Sequence, residues 1–185
     1  MTAVAAWTGE IEELADDLDA AERAYREGLE RAARAGDRSG LVWASYNLGR
    51  VLDARGAHDD ASGLFPVPNH EPAETALPNH EAAETAFDGV VWRSARAREL
   101  ARRGRIDEAV RLAREAVMRS EGSDNLRLRC EGLEDLVHIM RAAGRPSEAI
   151  PALEDLVRVR ERKGEPVAAA KARSLLDQLK TTAVA

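Results

Sequence analysis

A chain of 185 residues is long enough for one compact domain or one short repeat array. Apolar residues make up 44% and are led by Ala and Leu, while aromatics reach only 4% and charged residues 32%, a mix that suits amphipathic helices and suits sheets poorly. The formal net charge of −6 argues against nucleic acid as the default partner, and a single cysteine, Cys130, leaves no intramolecular disulfide and no thiolate metal cluster.

The N-terminus, MTAVAAWTGEIEELADD, has no basic stretch and turns acidic at once, so no signal peptide is expected; no run of eighteen apolar residues follows either. A soluble, cytoplasmic protein with no membrane partner is the expectation. Further along, four phrases share a turn followed by an alanine that opens a helix: DDLDAA, GAHDDA, GRIDEA and GRPSEA. Their alanines are Ala21, Ala61, Ala109 and Ala149, spaced 40, 48 and 40 residues apart. The long interval contains a duplicated decamer, and removing one copy leaves a period of about forty.

Each period reads as a helical hairpin. The expected units cover about 2–37, 41–65, 89–121 and 125–162. Gly56, Gly104 and Gly144 are placed to close first helices in the left-handed conformation. Acids such as Asp59, Asp107 and Glu148 suit the positive N-terminus of the helix that follows, and Pro146 falls where a first-turn proline is tolerated. Ser-Asp-Asn at 123–125 predicts an N-cap for a helix over Leu126–Ala142. After Lys-Gly-Glu-Pro at 163–166, residues 167–180 predict a last amphipathic helix that caps the array.

Between units two and three lies VPNHEPAETALPNHEAAETA, copies 67–76 and 77–86 of one phrase. Prolines 66, 68 and 78 predict an irregular segment over 66–88, with Gly89 as a break before the helix that contains Trp92. Within each copy, His70 with Glu74 and His80 with Glu84 have the i, i+4 spacing of two ligands on one helical face. No second histidine or third ligand completes a zincin-type set, and Pro78 separates the pairs. A tandem duplication tolerated in an exposed connection is the favoured reading, with no metal and no cofactor expected.

The segment Ser45-x-x-Leu48-Gly49-x-x-Leu52, followed by Gly56, Ala61 and Phe65, resembles a tetratricopeptide repeat, and Leu133, Leu136, Val137, Met140, Gly144, Ala149 and Leu153 repeat the pattern. WRSARARELARRGRIDEAVRLAREAV, AGRPSEAIPALEDL and ERKGEPVAAAKARSLL resemble the C-terminal helical-repeat region of actinobacterial signalling ATPases and cyclase-linked regulators. The sequence contains no Gly-rich phosphate loop, so the resemblance transfers no catalysis. It implies an all-α, tetratricopeptide-like right-handed superhelix of about four hairpins plus a C-terminal capping helix.

In that family the first helix of each unit lines the concave face. Glu10, Arg50, Arg98 and His138 then occupy equivalent inward positions, Arg102 and Arg141 lie about a turn further on, and Trp43 and Tyr46 share the side of unit two. Residues 92–185 hold 20 bases and 15 acids against 13 acids and 7 bases in residues 1–61, which places an anion-binding surface in the second half. The expected function is a non-enzymatic scaffold that holds an acidic or carboxylate-bearing protein segment through Arg50, Arg98, Arg102, His138 and Arg141, with flat contact from Trp43 and Tyr46. The alternative is a self-associating assembly subunit.

Overall fold

A computed structural model describes residues 8–13, 15–57, 60, 64, 86–121 and 125–184. It is all-helical, with no strand among the described residues. After a short helical segment at 8–13, the long helices are α1 (Leu18–Ala35), α2 (Arg38–Ala54), α3 (Ala86–Arg102), α4 (Ile106–Glu121), α5 (Leu126–Ala142), α6 (Ile150–Lys163) and α7 (Pro166–Val184). A single 3-10 turn, Pro146–Ala149, leads into α6. None of these helices is long and apolar enough to cross a membrane.

The helices start and stop for local reasons. Asp17, Asp37 and Asn125 each accept a hydrogen bond from a first-turn amide, those of Ala20, Gly40 and Leu128, at 2.8, 2.9 and 3.2 Å. Asn125 is thus the cap anticipated before α5. The turns reverse through a left-handed residue at Asp16, Gly36, Gly56, Gly104, Gly144 and Gly164, with φ between 64° and 79°. Five of the six are glycine, for which this conformation carries no Cβ clash.

Five residues beyond four of these positions stand Ala21, Ala109, Ala149 and Ala169, which are 0, 0, 0 and 2% exposed. Only a methyl group fits where one helix starts against its neighbour, so the alanine period is a packing period. Prolines appear where their missing N–H costs nothing, at 146 and 166 on the first positions of their helices.

The chain divides into two compact units, Met1–His80 and Glu81–Ala185. In the first, α1 packs on α2. Ala21, Tyr25, Gly28 and Ala32 form the buried stripe of α1 at helical spacing, and Tyr25 meets Trp43 edge to face with ring centroids 5.7 Å apart. In the second, each helix from α3 to α7 packs on the next, and α3 also packs on α5. Its core runs from Ala97 and Leu100 through Leu133, Ile139, Met140 and Leu153 to Leu176. Burying a side chain of Leu or Met size contributes roughly 1.5–3 kcal/mol, and this continuous core is what holds the helices together.

Two expectations shift at the boundaries. α3 already begins at Ala86 and runs through Gly89, so that glycine is not a break. The guanidinium of Arg93 donates from Nη1 to the Gly89 carbonyl at 2.9 Å, which ties the first turn to the second. The last helix extends to Val184, beyond the stretch 167–180. Residues 66–85, with both His-Glu pairs, His70–Glu74 and His80–Glu84, lie outside the described residues.

Candidate functional site

α2 carries a ladder of polar contacts along one face. Asn47 Nδ2 donates to the Trp43 carbonyl at 3.0 Å, and Arg50 Nη1 donates to Asn47 Oδ1 at 3.4 Å. The Arg50 guanidinium also lies 5.7 Å from the centre of the Tyr46 ring. Trp43 and Tyr46 are buried, at 9 and 2% exposed, so their aromatic area is spent within the protein. Arg50 is half-buried and is the member of this set that reaches solvent.

In the second unit α3 and α5 meet through charge. Arg98 donates from Nε and Nη2 to Asp135 Oδ1 at 2.7 and 2.6 Å, and both residues are buried. Burying either charge alone would cost several kcal/mol, so each holds the other in place. Arg102, one turn on, donates from Nη2 to Glu99 at 3.1 Å, and Arg103 pairs with the same buried carboxylate at 2.6 Å. Ser94, one turn before Arg98, buries a hydroxyl that has no hydrogen-bond partner among the described residues.

Arg102 lies one turn beyond Arg98 on α3, and His138 lies one turn beyond Asp135 on α5. His138 and Arg141 are exposed and share a face of α5 at i, i+3 spacing. Arg141 makes no ion pair among the described residues. Of the seven residues expected to line a groove, the structure therefore gathers Arg98 and Arg102 into paired positions, presents His138 and Arg141 to solvent, and places Trp43, Tyr46 and Arg50 in the other unit.

The carboxylates that meet these arginines, Asp135 and Glu99, were not anticipated from sequence. A signal was present: Asp135 continues the stripe Leu128, Glu131, Gly132 and Leu136 that helical spacing assigns to the buried side. A charge in such a stripe requires an opposite charge facing it.

Near the end of the unit, Arg160 bridges Glu134 on α5 and Glu165 before α7, and Lys163 joins Glu165. Burial works to lower the Arg160 pKa, but the two carboxylates hold it above its ordinary value. Cys130 lies buried in the same region, and burial pushes its thiol up to about 11, which makes it a small apolar core residue. No cluster of three or more metal-ligating side chains occurs among the described residues.

The chain matches no protein-family model and no curated protein.

Proposed function

We propose that this chain is a non-catalytic scaffold of tetratricopeptide-like hairpins, wound as a right-handed superhelix, that holds an acidic or carboxylate-bearing segment of another protein. The observation that carries the reading is the exposed His138–Arg141 pair on α5, one turn beyond the Asp135 that pairs with Arg98. Arg98 and Arg102 stiffen the wall through their buried carboxylates. Arg141 meets a ligand by two-pronged hydrogen bonding to a carboxylate, and the exposed His138 shares its face. In the first unit, Arg50 offers a second cation held in place by Tyr46 and Asn47. The repeat period supports the hairpin reading, because one hairpin cannot bury its own apolar face.

The resemblance to the helical region of signalling ATPases adds a partner class, a signalling domain carried on another polypeptide. A cytoplasmic setting belongs to the same reading. The test is fluorescence anisotropy with a labelled peptide rich in Asp and Glu, compared with its Asn and Gln counterpart. The wild type should bind the acidic peptide with an affinity that falls as salt rises, and the variant His138→Glu/Arg141→Glu should lose at least about tenfold. Equal binding of both peptides, or no change in the variant, would remove this site. A mass that grows with concentration in light scattering, with no peptide binding, would favour self-association instead.

A further inference from the structure

Alternate helices of the second unit repeat at a fixed interval. α3, α5 and α7 begin at Ala86, Leu126 and Pro166, forty residues apart each time, so adding forty compares positions between them. On α5 the stripe Cys130, Leu133, Val137 and Met140 is buried, and on α3 the matching Val90, Ala97 and Leu100 are buried too. On α7 the same stripe reads Ala170, Arg173, Asp177 and Lys180, and all four residues are exposed. α4 packs on α3 and α6 packs on α5, whereas no described helix follows α7.

Over that stripe on α7 lies a concave space of about 680 Å³, lined among the described residues from Ala170 to Thr182. Ala170 and Ser174 are small enough for the backbone of another helix to come close, and no large apolar side chain lines the space. Arg173 and Asp177 stand one turn apart on this face. Arg173 reaches Glu161 of α6 in a half-exposed pair, and its guanidinium has further donors for a second carboxylate. Asp177 makes no ion pair among the described residues. A face with one cation and one anion a turn apart is its own complement. Turned about a two-fold axis between them, each Arg173 meets the Asp177 of the other copy, whereas a parallel pairing in register would set like charge on like.

We propose that this face of α7 is a self-association surface, on which a second copy of the chain seats its own α7 antiparallel to the first, with two Arg173–Asp177 pairs across the axis. The seat is polar, so it suits a helix that is charged in the complementary order and not an apolar one. One helix face buries less than the roughly 800 Å² per partner of a stable complex, and the dimer should therefore be weak and sensitive to salt.

Sedimentation equilibrium of the full chain, from about 10 μM to about 1 mM, tests this. The wild type should pass from monomer towards dimer over that range, and less so as salt rises. Arg173→Asp and Asp177→Arg should each weaken dimerisation by at least about tenfold, because each sets like charges across the axis. Mixed in equal amounts, the two variants should pair with each other and regain dimerisation to within about threefold of wild type. Arg173→Asp also gives up the contact with Glu161, so recovery on mixing separates lost complementarity from lost folding. A wild type that stays monomeric throughout would overturn the proposal. Dimers that both single variants keep, or that mixing fails to restore, would overturn it equally.

Discussion

Arg98 and Asp135 show how one side chain changes meaning when its neighbour is known. As a cation on a first helix, Arg98 reads as a groove residue. Facing a fully buried carboxylate, it becomes an internal strut between α3 and α5. Asp135→Ala should therefore take the facing carboxylate from a buried guanidinium and destabilise the protein by roughly 3–5 kcal/mol, whereas Arg98→Met/Asp135→Leu should recover most of that loss. Urea unfolding followed by circular dichroism measures both. A double variant as unstable as the single one would mean that the pair does more than neutralise itself. Ser94 and Glu131, each with a buried polar atom that has no hydrogen-bond partner among the described residues, sit on the same two helices and mark this layer as the polar part of an otherwise apolar core.

Among the elements, the junction between α6 and α7 is held by charge. Gly164 reverses the chain at φ 79°, and Glu165 then receives hydrogen bonds from Arg160 and Lys163. Partial burial works to raise the Glu165 pKa, but the bonds from Lys163 and Arg160 outweigh it and set the value below the usual 4.5. A carboxylate with a lowered folded-state pKa binds fewer protons folded than unfolded. Its stabilisation is thus complete above 4.5 and is lost as pH falls through the folded value. Glu165→Gln should lower the melting temperature near neutrality, and the gap from wild type should close on acidification below that range. Thermal melts across pH check this, and a gap independent of pH would assign the loss to packing. Elements were also the scale most legible beforehand. Hairpin turns at Gly56, Gly104 and Gly144 and the cap at Asn125 follow from backbone geometry that few residues can adopt.

At the scale of the molecule, each of the two units has its own core. One is built around the Tyr25–Trp43 contact between two long helices, the other is a continuous apolar layer through five. Among the described residues the first core is the smaller, with less area to remove from water, and it should open first. Trp43 reports the first unit by fluorescence, best read as the difference between wild type and Trp43→Phe. Cys130 reports the second, because its buried thiol can be alkylated only when that core opens. Urea midpoints should be lower for Trp43 than for Cys130 labelling, and coincident midpoints would show one cooperative body. Exposed ion pairs such as Arg105–Glu108 and Arg145–Asp107 should matter little to either, being open to solvent and screened by salt.

By itself, the sequence determined what local chemistry can dictate: helices throughout, left-handed reversals at glycines, a small residue where several helices start, and a period of about forty between most of them. These follow from rules acting over a few residues, so they can be read in a line of text. Tertiary structure decided which charges meet. Arg98 finds Asp135 thirty-seven positions away, and Arg160 finds Glu134 twenty-six away. The worth of a charged side chain depends on its burial and on the sign of its neighbour, and neither exists until the helices pack.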